Sequence, residues 1–410
     1  MSLDVVETLC ELVRLPSVNP MGRDASGGEF LEYRVTEYLE RVFDRLGLAS
    51  QRQTVAPNRD NILARLDGDV LPEEGGPILM LEVHQDTVPV DGMTIPPWTP
   101  EVRNGRVYGR GACDVKGGMA AILAAVSRLV EQRPSRLATI VIACSVNEEY
   151  GFTGASAMPQ LWNGGDRAIV PRAPDAVIVA EPTELDVVVT HKGVVRWRCH
   201  ARGRAAHASQ PDRGVNAIYR MARVLAAMEQ YARDVVPRLG QHPLLGTPTL
   251  NVGVISGGVS VNTVPDHCTI EIDRRLLPHE DPREAFEHAK SYLANAGGAE
   301  AAGEHDEPHQ QICGLQDDRN GALAASLTAA VERHGRTSRC IGVPYGTDAP
   351  VFSSLGIPTV VFGPGSIQQA HTADEWIAVD QLLAAVDVFY ELARCWGQSS
   401  GSKADGQVRV

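Results

Sequence analysis

The sequence predicts an α/β protein in which a three-layer α/β/α domain is interrupted by a smaller α+β sandwich. Apolar runs typical of strands that are covered on both faces, at 78–83 and 139–146, alternate with segments of helical periodicity. From about Thr190 the order of predicted strands and helices changes to that of an α+β unit, and the first pattern resumes after His309.

The N-terminal elements are predicted from periodicity. Residues 2–47 contain two helices separated by a Gly/Pro/Asn loop, and apolar residues recur every three or four positions over 30–48. Short apolar runs that end at polar or turn-forming residues predict strands over 61–66, 78–83, 139–146 and 176–179. An apolar helix is predicted over 116–130.

The inserted part begins with a strand over 194–201, where apolar and polar residues alternate as in a sheet with one covered face. A helix over 215–235, strands over 249–255 and 268–274 and a helix over 282–296 follow, which predicts a ferredoxin-like sandwich. Helix 321–334, strand 359–362 and helix 379–396 resume the first architecture. We therefore expect a discontinuous domain of residues 1–189 and 305–410, an inserted domain of residues 190–304, and a disordered tail after 397.

Composition excludes several classes of protein. The 410 residues include 38 Lys and Arg against 51 Asp and Glu, a formal net charge of −13, and no basic run is present. Nucleic acid and anionic membrane surfaces are therefore not expected partners. No apolar run approaches the length of about 20 residues that spans a bilayer, and the N-terminus lacks the pattern of a secretory signal. Eight dispersed cysteines without a C-x-x-C pair predict a reducing, cytoplasmic compartment.

Polar side chains follow the predicted strands, where open α/β sheets carry their functional groups. His84 and Asp86 come directly after the strand over 78–83, in the pattern of a metal ligand and the carboxylate that orients it. Asp114 lies in a glycine-rich segment that opens a helix. Taken alone, the first cluster is also compatible with an ordinary loop, and the second with a tight turn.

Further carboxylates and a second histidine follow the other strands. Glu148 and Glu149 come after 139–146, Glu181 after 176–179, and His371 after 359–362. An adjacent carboxylate pair is usually solvated surface, but one member of this pair can bind a cation while the other transfers protons. Together, two histidines and at least three carboxylates without thiolates suit zinc, cobalt or manganese in a two-metal hydrolytic site.

Five ordered motifs make this constellation specific. They are V-H-Q-D-T-V-P at 83–89, G-R-G-A-C-D-V-K-G-G at 109–118, N-E-E-Y-G-F-T-G-A at 147–155, A-E-P-T at 180–183 and A-H-T-A-D-E-W at 370–376. With these motifs the chain resembles the M20 metallopeptidase and deacylase family, from the first helix to about Trp396. The resemblance includes the inserted domain, through A-A-H-A-S-Q-P-D-R-G-V-N-A-I at 205–218 and G-G-V-S-V-N-T-V-P-D at 257–266.

The resemblance implies a role for each matched residue. One divalent cation is held by His84 and Glu181 and a second by Glu149 and His371, while Asp114 bridges them; zinc is the expected metal and cobalt the alternative. Two further residues act in catalysis: Asp86 orients His84, and Glu148 is the general base.

The inserted domain is implied to be a lid that also dimerises. His207 is matched to a lid histidine that stabilises the oxyanion in the partner subunit's active site, although without the resemblance a sheet histidine with satisfied hydrogen bonds is the favoured interpretation. Four residues are implied to contact substrate: Asn262, Arg275, Gly365 and Ser366. Arg274 is the alternative to Arg275 for binding a substrate carboxylate.

These roles predict a metal-dependent amidohydrolase that cleaves the amide bond of an N-acyl amino acid, with a metal-bound water as nucleophile. The motifs are most similar to the acetylornithine deacetylase and succinyl-diaminopimelate desuccinylase branch. A dipeptidase or carboxypeptidase with the same residues is the alternative, and a catalytically silent binding protein is a remote one. The expected partners are a small N-acyl amino acid or short peptide and a second copy of the chain.

Overall fold

The computed structural model describes residues 2–24, 27–163, 169–296 and 303–399. These residues form two compact units. Unit 1 is drawn from Met1–Val189, Asp317–Ile341 and Thr347–Val410, and unit 2 from Thr190–Gln316 and Gly342–Gly346. No helix among the described residues is long and apolar enough to cross a membrane.

The helices are, in chain order, α1 (Val5–Val13), α2 (Tyr33–Leu46), α3 (Lys116–Gln132), α4 (Thr153–Ala157), α5 (Ala217–Gln230), α6 (Pro282–Ala296), α7 (Gly321–Arg333), α8 (Ala349–Ser353) and α9 (Val379–Ser399). The strands are β1 (Ala49–Ala56), β2 (Arg59–Leu66), β3 (Ile78–His84), β4 (Glu101–Arg103), β5 (Arg106–Tyr108), β6 (Thr139–Ser145), β7 (Ala176–Val179), β8 (Val187–His191), β9 (Gly193–Arg202), β10 (Ala206–His207), β11 (Thr249–Gly257), β12 (Thr263–Val264), β13 (His267–Leu276), β14 (Glu304–His305), β15 (Gln310–Ile312), β16 (Cys340–Val343), β17 (Thr359–Val361) and β18 (Trp376–Ala378).

The main sheet has eight strands in the order β1-β2-β6-β3-β7-β17-β8-β16. Its centre is parallel, because β3 pairs in parallel with β6 and β7, and β7 pairs in parallel with β17. Every residue of β3 and β6 is buried, as their apolar composition predicts. The predicted α/β fold class is confirmed.

Helices of unit 1 pack as their sequences predict. Asp4 caps α1 by accepting a hydrogen bond from the backbone N–H of Glu7 at 2.8 Å, and α1 buries Leu9 and Leu12. Helix α2 ends at Gly47, whose φ of 70° is the left-handed conformation that favours glycine. The alanine-rich helix α3 packs closely against α1 and α9.

Unit 2 contains a sheet in the order β11-β13-β9-β14, with β15 also paired to β9. One face of this sheet packs on α5 and α6 through Trp197, Tyr231 and Phe286, all of which are fully buried. The opposite face is polar and carries cross-strand ion pairs, including Arg196 with Asp273 at 2.7 Å.

Some boundaries differ from the predictions. The inserted unit extends to Gln316 and not to residue 304, because β14 and β15 pair with β9 and so keep residues 304–312 in its sheet. Strand β1 was not predicted, since its polar sequence lacks the apolar run of the central strands. Helix α9 continues to Ser399, beyond the predicted start of the tail, and residues 400–410 lie outside the described residues.

Candidate metal centre

The parallel strands of unit 1 bring the predicted polar residues to one edge of the sheet. His84 is the last residue of β3, Glu148 and Glu149 follow β6, Glu181 follows β7, and β17 leads to the segment that carries His371. Because β6, β3, β7 and β17 are mutually parallel, their carboxyl ends lie at the same edge. The topology therefore explains how residues almost 290 positions apart form one cluster.

His84 is held in a defined orientation. Its Nδ1 lies 3.0 Å from the backbone carbonyl oxygen of Asp86 and 3.5 Å from a carboxylate oxygen of the same residue. Nδ1–H donates to that carbonyl, so Nε2 is the nitrogen left available to bind a metal. Nε2 lies 3.1 Å from Asp114 Oδ1 and 3.7 Å from Glu181 Oε1.

Asp114 lies between the two histidines. Its Oδ1 is the neighbour of His84 Nε2, and its Oδ2 lies 3.3 Å from His371 Nε2. Burial alone would raise the pKa of Asp114, but the hydrogen bonds with His371 and His84 outweigh it and lower the pKa below its usual range. Asp114 is therefore an ionised carboxylate with one oxygen directed to each side.

A second group of donors surrounds His371, whose Nε2 also lies 3.3 Å from Glu149 Oε2. The hydrogen bonds with Asp114 and Glu149 raise the pKa of His371 to about 10. Burial, and next the charge of Asp114, raise the pKa of Glu149 to about 7. The other oxygen of Glu149 is buried without a hydrogen-bond partner. Two buried carboxylates close together, one of them with an unpartnered oxygen, favour the binding of a cation, because a positive charge offsets their repulsion and their burial.

The candidate ligand atoms form two groups that share one residue. His84, Asp114 and Glu181 form the first group and Asp114, Glu149 and His371 the second; within each group the atoms lie within 4.8 Å of one another. Each group offers one imidazole nitrogen and two carboxylate oxygens, which suits zinc or a similar divalent metal. The unpartnered oxygen of Glu149 supports this fit. The structure thus brings together all five predicted ligands.

Glu148 lies beside both groups and is only 8% exposed. Burial raises the pKa of its carboxyl well above the usual value, and the nearby charges of Glu181, Asp348 and Glu149 act in the same direction, against that of His84. A carboxylate with a raised pKa accepts a proton from water more readily, as a general base requires.

Asp86 has more partners than its predicted role requires. Its carboxylate accepts hydrogen bonds from the backbone N–H of Glu148 at 3.1 Å and of Glu149 at 3.2 Å. It also accepts one from Asn19 Nδ2 at 2.7 Å. Asp86 therefore positions the general-base candidate and two ligand candidates together.

Several supporting residues were not predicted. Asn147, with φ of 64°, accepts hydrogen bonds through Oδ1 from Asn19 at 2.9 Å and from Arg59 at 2.8 Å. Its backbone N–H donates to the buried Glu32, which also forms an ion pair with Arg59. Burial, opposed by the hydrogen bond with Arg59, raises the pKa of Glu32 to about 7. These residues are distant in sequence, so spacing gives no signal of their contact.

A second unpredicted feature is a pair of buried carboxyl groups. Glu82 lies two residues before His84 in β3, and burial and the charge of Asp348 raise its pKa well above the usual value. Asp348 accepts a hydrogen bond from Ser145 Oγ at 2.9 Å, and its pKa is raised by burial to about 7. Glu82 stands among the apolar residues of β3, and this position could have indicated a buried carboxyl group from the sequence alone.

The remaining site predictions fall on both units. Gly365 has φ of 95°, and a Cβ there would approach Cys113 Sγ to 2.6 Å, so backbone geometry alone requires glycine. Ser366 is half-buried and its carbonyl accepts a hydrogen bond from Cys113 at 3.3 Å. His207, Asn262 and Arg275 belong to unit 2.

The two adjacent arginines of β13 differ in their surroundings. Arg274 is 1% exposed on the helix-covered face of the sheet and donates to Glu280 at 2.5 Å. Arg275 lies on the polar face, where it pairs with Asp273 at 2.7 Å. Because neighbouring residues of a strand face opposite sides, only Arg275 of the two is accessible to a ligand on the polar face.

Comparison with known families identifies the chain. The family model described as Peptidase family M20/M25/M40 matches residues 80–394, more than half of the sequence. The chain belongs to this family. Its predicted resemblance to M20 metallopeptidases and deacylases, and its assignment as a hydrolase, are confirmed.

Individual M20 proteins are similar over most of their lengths. The acetylornithine deacetylase of Vibrio cholerae (strain ATCC 39315 / El Tor Inaba N16961) is 32% identical over 393 residues, covering 92% of this chain and 94% of that protein. The acetylornithine deacetylase of Myxococcus xanthus is 30% identical over 362 residues, covering 85% and 88%.

Solved M20 structures share the fold. The metallo-carboxypeptidase Sso-CP2 of Sulfolobus solfataricus has a TM-score of 0.77 at 20% identity and covers 97% of this chain and 100% of that one. The YXEP protein of Bacillus subtilis, described as a dinuclear metal-binding peptidase, has a TM-score of 0.67 at 17% identity and covers 96% and 98%. At these identities the similarity shows the fold.

Proposed function

We propose that this M20 protein hydrolyses the amide bond of an N-acyl amino acid, as an acetylornithine deacetylase does. The observation that supports this most directly is the pair of ligand groups that share Asp114 beside the buried carboxyl of Glu148. The acetylornithine deacetylases that cover most of the chain at 30% identity or more support the choice of an N-acyl substrate.

Two divalent cations would be held by His84, Glu181, Asp114, Glu149 and His371, with Asp114 contributing to both groups, and zinc is the metal that we propose. When bound, two such cations would polarise the substrate carbonyl and lower the pKa of the attacking water. Two +2 charges against three ligand carboxylates leave a net charge of +1, which favours a substrate that carries a carboxylate.

Glu148 transfers the protons. Its carboxylate takes a proton from the attacking water while a C–O bond forms at the amide carbon. As the C–N bond breaks, Glu148 returns that proton to the departing nitrogen, and the products are a carboxylate and an amine. Asp86 keeps Glu148 in place through the backbone N–H bond described above.

Unit 2 supplies further groups in this proposal. His207 is exposed, and its Nδ1 accepts a hydrogen bond from the backbone N–H of Ser209 at 3.2 Å, so the neutral ring carries its proton on Nε2. That N–H is a donor suited to an oxyanion. We assign Arg275 to the substrate carboxylate and Asn262, Gly365 and Ser366 to other substrate contacts.

Edge strand β11 supports a homodimer formed through unit 2. Among the described residues β11 pairs with β13 alone, and it exposes Val254 (51%) and Ile255 (56%). The loop that follows exposes Val259 (90%) and Val261 (99%). Exposed apolar side chains beside an open strand edge are typical of a surface that another chain covers. A C2 dimer brings two copies of β11 together.

The Ile255→Asp variant is expected to convert the dimer to a monomer, because it places a charge at the centre of the proposed interface. Size-exclusion chromatography with light scattering measures the mass of the particle. The control is Leu383→Asp, a change at a residue of α9 with a similar exposed fraction of 53%. A wild-type monomer, or a dimer that survives Ile255→Asp, would count against this interface.

We also propose a cytoplasmic location. None of the eight cysteines, all of which lie among the described residues, forms a disulfide bond. Free thiols in this number are typical of a reducing compartment.

Removal of the metal tests the proposed activity. Dialysis of the purified protein against a chelator is expected to abolish amine release from N-acetylornithine, and addition of two equivalents of zinc is expected to restore it. Chromatographic separation of ornithine from N-acetylornithine measures the amine that is released, and elemental analysis gives the metal content. Undiminished turnover by protein that contains less than a tenth of an equivalent of metal would overturn the proposal.

A further inference from the structure

Glu375 is a fully buried carboxylate with four hydrogen-bond donors around it. Its Oε2 accepts hydrogen bonds from Arg110 Nη1 at 2.7 Å and from the backbone N–H of Gly111 at 2.9 Å. Its Oε1 accepts hydrogen bonds from the backbone N–H groups of Cys113 at 2.8 Å and Asp114 at 3.0 Å. Each carboxylate oxygen therefore has two donors.

These four contacts join two segments of unit 1. Three of the donors are backbone N–H groups in the segment that ends at Asp114, and one of these three is the N–H of Asp114 itself. Glu375 lies four residues after His371, and its backbone carbonyl accepts a hydrogen bond from Gly109 at 3.0 Å. The segments that carry Asp114 and His371 are thus joined through Glu375 as well as by the side chains of Asp114 and His371.

The charge on Glu375 is compensated within the same cluster. Arg110 is 2% exposed, and its Nη2 donates a hydrogen bond to the backbone carbonyl of Pro89 at 3.2 Å. A buried carboxylate paired with a guanidinium and three backbone donors has its desolvation cost offset, so it can hold the backbone firmly.

The contact between Glu375 and the backbone of Asp114 affects the geometry of the candidate metal ligands. Ligands of a metal site must be held to within about 0.5 Å. Asp114 Oδ2 and His371 Nε2 belong to the same ligand group, and Glu375 contacts the backbone of the first from the segment of the second. A change in the length or the acceptor capacity of residue 375 alters their separation.

We propose that Glu375 is a positioning residue that fixes Asp114 relative to His371 and thereby sets the metal affinity of the group formed by Asp114, Glu149 and His371. This inference rests on the proposed two-metal function. Glutamine at this position presents an amide NH₂ where two donors now meet an oxygen, while aspartate keeps the charge but has a shorter reach.

The test is a calorimetric titration of the metal-free, full-length protein with Co²⁺. Glu375→Gln and Glu375→Asp are each expected to weaken the binding of at least one of two cations by about 10- to 100-fold, the usual effect of losing a residue that orients a ligand. The visible absorption of bound Co²⁺ is expected to change as well, because it reports ligand geometry. Glu391→Gln is the control, since Glu391 of α9 is also buried, at 8% exposed, but forms its ion pairs with Arg394 of α9 and Arg333 of α7.

The outcomes separate the two levels of the proposal. If wild-type protein binds fewer than two Co²⁺ ions, the proposed function fails. If wild-type protein binds two ions and either Glu375 variant binds both with unchanged affinity and absorption, the positioning role fails. Glu375→Asp keeps the negative charge. If this variant binds Co²⁺ as the wild type does while Glu375→Gln does not, the charge of residue 375 is what matters and not its reach. If Glu375→Gln does not fold, the aspartate variant decides the question by itself.

Discussion

The Glu148→Gln variant is expected to lower kcat by about 10²- to 10⁴-fold, the usual contribution of a general base, while two divalent cations still bind. Glutamine has nearly the shape of glutamate but cannot take the proton from water at neutral pH. Glu148 is absent from both ligand groups, so cation binding is expected to persist. Steady-state amine release and a metal titration on the same preparation measure the two effects.

The control for this variant is Glu391→Gln, which makes the same chemical change in an ion-paired residue of α9. It is expected to keep kcat within about twofold, because Glu391 pairs with Arg394 and Arg333 and belongs to neither ligand group. A Glu148→Gln protein with wild-type turnover would remove the general-base assignment. A variant that has lost its cations would instead place Glu148 among the ligands.

The Asp114→Asn variant is expected to weaken the binding of both cations by about 100-fold or more and to abolish turnover. Asp114 is the one residue that both ligand groups share, and the substitution removes its negative charge. Two unit charges 4 Å apart near a protein surface interact by about 4 kcal/mol, which exceeds the roughly 3 kcal/mol that a 100-fold change represents.

Single-group variants are the comparison for Asp114→Asn. Glu181→Gln and His371→Ala each change one group and are expected to weaken one cation far more than the other. Calorimetry with zinc or cobalt resolves the two binding events. If Asp114→Asn binds both cations as the wild type does, or loses only one, Asp114 is not a bridging ligand.

The central part of the fold was predictable because burial leaves a clear pattern. Strands β3 and β6 are buried along their whole length, and between their terminal residues their sequences are apolar except for Glu82. Polar residues after the predicted strands indicated His84, Glu149, Glu181 and His371, a glycine-rich segment indicated Asp114, and the family resemblance implied their roles as ligands. Edge strand β1 and the end of unit 2 at Gln316 were not predictable in this way, because polar edge strands and short paired segments carry little apolar signal.

The residues that support the site were harder to predict than the ligands. Asn19 contacts Asp86 across 67 positions and Asn147 across 128, and no periodicity connects such residues. Glu375 lies in a motif that was identified from the sequence, yet its contact with the backbone of Asp114 depends on how two loops pack. Residue types thus predicted the chemistry of the site, whereas the contacts that position its side chains were seen only in the structure.

The most direct test of the proposed function is a comparison of kcat/KM for N-acetylornithine and N-succinyl-diaminopimelate with that for unacylated dipeptides, using protein that holds two zinc ions. The structure and its relatives lead us to expect that the better N-acyl substrate exceeds every dipeptide by at least about tenfold. Hydrolysis of dipeptides without amine release from either N-acyl substrate would contradict the proposal.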